Sequence, residues 1–387
     1  MKVALFCHSI LSDWNNGNAH FLRGICSEMR RRGHEVTCYE PLDAWSLSNL
    51  LDQEGQHRFR DLVSDLLYHY PLLVPRRYDL DRLELDVVLD AADLVLVHEW
   101  NDPELVRRIG EHRKREGDYR LLFHDTHHRS VTDPGALDRF ELGSYDGVLA
   151  FGDEVRDVYC RRGWGRRAWT WHEAADVRIF RPLPEELAGH LVWIGNWGDE
   201  EHSREIHQFL LEPIATLGLR AALHGVRYPS EALEAVAKAG AQHRGWIANY
   251  RVPRVLSRFL ATVHIPRKPY LEELRGVPTI RPFEALACGV PLVCARWDDP
   301  GGLFRAGEDF LVARDSSEMK RHLRALCEDG ELRSSLAANG RQTILERHTC
   351  AHRVDELLDI CSEIDDLDTV LEAKRPAPAT AQTVQKV

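Results

Sequence analysis

No stretch of this 387-residue chain reaches the roughly 18 consecutive apolar residues of a membrane span. The opening MKVALFCHSI has an apolar run too short for a secretory leader, a lone Lys2 before it and no small-residue cleavage site after it, so a cytoplasmic protein is expected. Paired cysteines are missing too. Nine cysteines stand singly from Cys7 to Cys361, an odd number without a C-x-x-C pair, which reads as reduced buried thiols. Basic charge is not in excess: 50 Lys and Arg against 61 Asp and Glu give a net charge of −11, which disfavours a general duplex-DNA binder that works by neutralising phosphates. Neither a G-x-G-x-x-G after an opening strand nor a G-x-x-x-x-G-K-[ST] loop occurs, which argues against a nicotinamide dehydrogenase and a P-loop ATPase.

What is present is globular. The chain is 44% hydrophobic and 29% charged, and its length suits two or three domains at about 150 residues each. VALFCHS at 3–9 reads as a strand, SDWNNGN as a glycine-bearing loop, and Phe21, Leu22, Ile25 and Met29 as one face of a helix that ends at Gly33. HEVTCYEP at 34–41 is a second strand, and a strand–helix–strand unit implies a parallel sheet. The 42–90 segment gives only helical patches at 62–70 and 83–89 around a break from Pro71 to Pro75. After it, DLVLVHEW at 93–100, RLLFHDTHH at 120–128 and YDGVLAFGDEV at 145–155 add strands, and Asp102 with Pro103 caps and opens a helix. AWTWHEAADVRIFRPLP at 168–184 closes the half.

The same alternation then restarts. HLVWIGN at 190–196, LRAALHG at 219–225, ATVHIP at 261–266 and PLVCA at 291–295 are strands, and Asp315 with Glu318 caps a later helix. The expected organisation is a first Rossmann-like domain at 1–184, a second at 185–350, a helix at 351–371 packing back on the first domain, and a disordered tail at 372–387. Two parallel α/β units predict a ligand cleft between them, at the carboxyl ends of their strands.

RPFEALACGVPLVCA at 281–295 is the most informative stretch. Pro282 suits a first helical position, Glu284 then falls in the first turn, and Gly289 is a fitting stop. A carboxylate there is kept ionised by the helix dipole and can accept two hydrogen bonds from a vicinal diol such as ribose, or simply stabilise its helix.

This stretch, followed by LFRAGEDFLVARDSSEMKRHL and LRSSLAANGRQTILERHT, resembles the donor-binding half of the GT-B glycosyltransferases, most closely the family 4 and CgeB-like group with its F-E-A-x-A-C-G-x-P pattern. NNGNAHFLRGICSEMRRRGHEVTCYEP at 15–41, EAADVRIFRP at 173–182 and IGNWGDEEHSREI at 194–206 resemble further segments of that family in the same order. The resemblance implies an α/β GT-B fold, two Rossmann-like domains facing an interdomain cleft. It also implies transfer of a sugar from a nucleotide-diphosphate sugar to an acceptor hydroxyl, with retention of configuration and without a bound metal or other cofactor.

By the same resemblance Glu284 binds the donor ribose, Gly17 lets the first loop approach the donor, and His124 and His127 reach the transferring sugar. Candidates for holding the departing diphosphate are Arg204, Arg267, Lys268, Arg281 and the backbone at Gly301 and Gly302, the last two readable equally as a flexible turn. His98 and Glu99 are candidates for the acceptor side, and the aromatics of the 42–90 segment for acceptor choice. The four potential ligands in HDTHH leave a zinc site open on residue type alone. The family's E-x7-E pattern has an earlier Glu that handles the donor sugar; here that position is Gly276, with Glu272 and Glu273 out of register. The acceptor is expected to be a carbohydrate, a lipid-linked compound or a small molecule and not a nucleic acid. The alternatives are a GT-B-fold nucleotide-sugar epimerase and a non-catalytic sugar-nucleotide binder.

Overall fold

The short apolar runs all become parallel strands. In the computed structural model, which describes residues 1–198 and 200–373, two separate sheets form. The first holds β1 (Lys2–Phe6), β2 (Glu35–Pro41), β3 (Arg76–Tyr78), β4 (Leu94–His98), β5 (Arg120–Asp125), β6 (Gly147–Ala150) and β7 (Ala168–Thr170) in the order β3-β2-β1-β4-β5-β6-β7. The second holds β8 (Gly189–Ile194), β9 (Ala221–His224), β10 (Gln242–His243), β11 (Phe259–His264), β12 (Leu292–Ala295) and β13 (Leu311–Ala313) in the order β10-β9-β8-β11-β12-β13. Central strands such as β4, buried at every residue, are apolar up to the closing His98 because helices cover both sheet faces.

Local signals act where they were expected. The Asp102 carboxylate accepts the Glu104 N–H at 2.8 Å ahead of the Pro103–Arg115 helix, whose last turn carries His112 to Arg115 near the negative end of the dipole. Asp315 likewise accepts the Glu318 N–H at 2.9 Å. Seven of the nine cysteines are buried, as small apolar residues would be, while Cys160 is exposed.

Three short strands, β3, β10 and β13, sit at or near sheet edges and carry too few residues to show a period. The 42–90 segment is more regular than its sequence: a helix spans Trp45–His69, with a kink at Gly55, whose φ of 75° is left-handed. The last helix runs Cys350–Ala373, so residues 372 and 373 are helical, and the rest of the tail expected to be disordered lies outside the described residues. Val354, Leu357, Ile360 and Ile364 of that helix join Phe21, Leu22, Ile25 and Met29 of the Ala19–Arg31 helix in the core of the first domain. The chain thus crosses between domains twice, and Trp171 Nε1 donates to the Arg353 carbonyl at 2.8 Å where the two crossings meet.

Side chains also interlock across the gap. Tyr270, Leu274 and Val277 of the second domain pack into an apolar cluster of the first. That contact brings the carboxyl ends of both sheets face to face.

Candidate active site between the two domains

The cleft has a volume of about 500 Å³ and is walled by the segments that follow β1, β4, β5, β6 and β7 on one side and β8, β9 and β11 on the other. Its first-domain wall is aromatic. Trp45 stacks on His8 with ring centroids 4.5 Å apart, and Trp100 meets His127 edge-on at 5.1 Å. The second-domain wall is cationic, with Arg227, Arg267 and Arg281 all lining the space. Arg227 holds a left-handed φ of 62°, a conformation that costs a non-glycine residue energy and tends to persist at functional sites.

Glu284 sits behind that cationic wall, 1% exposed. The Ile280–Ala287 helix begins at Ile280, earlier than Pro282 suggests, so Glu284 lies beyond the first turn and is not positioned by the helix start. Instead Arg281 pairs with one of its oxygens and His20 of the first domain with the other, at 3.0 Å. Nε2 of His20 accepts the Asp176 backbone N–H at 2.9 Å, so its Nδ1 carries the proton and donates to Glu284. Phe180 stacks on His20 at 3.8 Å and holds the ring in plane. Burial pushes the Glu284 carboxyl up, but the Arg281 charge and the His20 hydrogen bond outweigh it and keep it below its ordinary value.

Two more interdomain contacts flank this one. Asp13, paired with Arg23 at 2.7 Å, accepts the Asn249 backbone N–H at 3.1 Å, and Asn196 donates to Asn15. Gly17 lies beside them in the first loop, where an added Cβ would stand 3.3 Å from Cγ2 of Ile280, a tight contact that glycine avoids.

Three of the histidines that line the cleft are neutral. Burial lowers His127 and His264 to about 3 and His8 to about 4, with nearby arginines pushing the first two the same way. Among the described residues, Nδ1 of His127 and both side-chain amide atoms of Asn18 are buried at the cleft without a hydrogen-bond partner. Orphaned polar atoms at one surface of a cleft are what a ligand rich in hydroxyl or phosphate oxygens would satisfy.

Residues 204–359 match the family described as glycosyl transferase-like. Over the whole chain, similar solved structures include HepE of Anabaena in complex with UDP and glucose, 14% identical, with 94% of this chain and 99% of that one covered at a TM-score of 0.64. An alpha-glucosyltransferase in complex with UDP and a 13-mer DNA is 13% identical over 94% of this chain and 99% of its own, with a TM-score of 0.65. The chain has the GT-B fold. Sucrose-phosphate synthase of Thermosynechococcus elongatus is also similar, at 14% identity and a TM-score of 0.59 over 97% and 100% of the two chains. No curated protein matches the sequence.

Within the GT-B frame the expected site residues divide. Gly17, His127, Arg267 and Arg281 line the cleft, and Glu284 lies directly behind Arg281. Arg204 is exposed and does not line the cleft; His202, two residues earlier, does. Lys268 is exposed and 3.7 Å from Glu272, and Gly301 and Gly302 are exposed on a loop outside the lining. His124 points into the core, 1% exposed between Phe21, His98 and Trp171. His98 and Glu99 are buried under the cleft floor, where Glu99 pairs with Arg129 at 2.6 Å and accepts the Thr126 N–H at 2.9 Å. In HDTHH, His124 and Asp125 are buried in the core while the rings of His127 and His128 lie 4.0 Å apart. Among the described residues, metal-ligand atoms converge only at Asp86, His112 and Glu116, which do not line the cleft.

Sequence reasoning passed over His8, Asn18, His20, Arg227, His264 and Tyr270. His20 had no signal of its own, since it sits on the buried face of an ordinary amphipathic helix and acquires its role only from Glu284, 264 residues away. Arg227 had one in principle: it stands just after the strand that Gly225 closes, where a chain turning at a strand end reaches the cleft.

Proposed function

We propose that the chain transfers a sugar from a nucleoside-diphosphate sugar, with UDP as the leading nucleotide, to a hydroxyl of a small or carbohydrate acceptor. The observation that carries the reading is the opposition of a wall of three arginines to a wall of neutral histidines and tryptophans across one cleft. Arg227, Arg267 and Arg281 supply the positive charge that a departing diphosphate needs, and guanidinium groups grip phosphate oxygens in pairs. Trp45 and Trp100 offer flat faces of the kind that stack on the apolar face of a sugar ring. The UDP bound in HepE and in the alpha-glucosyltransferase supports the choice of nucleotide. The second of these is also in complex with a 13-mer DNA, but the net charge of −11 favours an acceptor without a phosphate backbone.

The reaction proceeds with retention. The bond from the anomeric carbon to the diphosphate oxygen breaks while the acceptor oxygen attacks the same face, and the acceptor proton passes to the departing phosphate oxygen. His127 and Asn18, which have unpartnered polar atoms at the cleft, hold sugar hydroxyls. The arginines take the charge role that a divalent ion would otherwise fill, so turnover survives a chelator. Thermal-shift screening against UDP-, GDP-, dTDP- and CDP-sugars tests donor binding, because a ligand specific to the folded state raises its melting temperature. Absence of any response overturns the reading, and an inverted anomer in the product by NMR overturns retention.

A further inference from the structure

Most carboxylates near the cleft are committed or remote. Both oxygens of Glu284 are engaged by His20 and Arg281, and Glu272 and Glu273 are exposed on the outer surface. Glu173 differs. It follows β7 on the segment that leaves the first domain, lines the cleft, is 5% exposed, and its carboxyl has no hydrogen bond or ion pair among the described residues. Leaving such a group unpartnered is costly, and a ligand hydroxyl would remove the cost.

The opposite wall has no room for an equivalent. Gly276 holds a φ of +82°, and a Cβ there would stand 2.5 Å from Cδ of Pro300, so no side chain fits. We infer that Glu173, reaching across from the first domain, binds a hydroxyl of the transferred sugar and so helps to select it. The inference rests on the sugar-transfer reading above.

The groups facing Glu173 set its form. Glu284 and Arg281 lie on the Ile280–Ala287 helix, Tyr270 on the Lys268–Glu272 helix, and His127, His264 and Arg267 line the same space. Burial raises the Glu173 carboxyl, the Glu284 charge adds to that and Arg281 opposes it, leaving it at about 8. At neutral pH it is therefore an acid that donates a hydrogen bond and adds no negative charge beside the diphosphate. Above about 8 it ionises and loses that donor.

Calorimetric titration of the full chain with UDP, UDP-glucose, UDP-galactose, UDP-N-acetylglucosamine, GDP and GDP-mannose tests this. The readout is each nucleotide sugar's affinity relative to its parent nucleotide. In Glu173→Ala, the ratio for the sugar that the wild type prefers falls roughly tenfold, while parent-nucleotide affinity stays within about twofold. Glu173→Gln keeps the ratio, because its amide still donates. Raising the pH through about 8 lowers the wild-type ratio and leaves that of Glu173→Gln flat. An Ala variant with unchanged ratios for every sugar, or a Gln variant as impaired as Ala, overturns the inference. A wild-type chain that binds neither UDP nor GDP instead removes the sugar-transfer reading, which is a separate result.

Discussion

The two walls of the cleft solve different problems with different side chains. The second-domain wall carries the guanidinium groups of Arg227, Arg267 and Arg281, which line the cleft. The first-domain wall carries His8, Trp45, Trp100 and His127, with both histidines held neutral by burial. A diphosphate leaving group needs the first kind of surface, and a neutral ring bearing hydroxyls needs the second. Between them the Glu284–His20 contact ties one wall to the other. In the proposed reading the diphosphate falls to the second domain and the sugar-facing surface to the first, while the geometry that joins them is a contact neither domain makes alone.

The sharpest way to break this division is to remove charge from the cationic wall. Arg281→Ala is expected to lower kcat/KM for donor by about a hundredfold, which corresponds to about 2.7 kcal/mol, with acceptor KM little changed. Steady-state kinetics with each substrate varied in turn checks it, and an effect confined to acceptor KM would place the diphosphate elsewhere.

The join comes next. His20→Ala leaves one oxygen of Glu284 and the Asp176 N–H without partners, at a cost of about 1–3 kcal/mol, read as a lower Tm by calorimetry. Because Glu284 is held below its ordinary 4.5, its contribution is complete above pH 4.5 and is lost as the pH falls through its folded value. Acid should therefore narrow the gap in Tm between the wild type and His20→Ala, and a gap constant down to low pH would contradict the contact.

A smaller effect is expected on the aromatic wall. Trp100→Ala should raise acceptor KM by about tenfold and leave nucleotide affinity unchanged, as loss of one stacking face predicts. Smallest of all, Arg204→Ala should change donor kinetics by less than about twofold, since an exposed arginine outside the lining contributes little.

Much of the fold was legible because parallel sheets write themselves plainly. Strands buried on both faces need unbroken apolar runs, as in DLVLVHEW and ATVHIP, and the helices between them carry caps such as Asp102 and Asp315. The kinked Trp45–His69 helix was hidden because only a few of its residues are buried, so its apolar period is faint. Arg267, Gly17 and His127 could be placed on the cleft wall from their position just after strands, and Arg281 from its place beside Glu284. Arg204 and His124 failed for one reason: a residue can be near the cleft in sequence and still point away, and orientation depends on one-residue shifts in where an element begins.

The sequence by itself determined two α/β units, their order and the helix that carries Glu284, because local periodicity and capping are properties of contiguous residues. Only the tertiary structure decided that His20 holds Glu284, that Arg227 joins Arg267 and Arg281, and that Glu173 faces the cleft without a partner. Those relations span up to 264 residues of chain and are set by how two sheets pack, which no local pattern records.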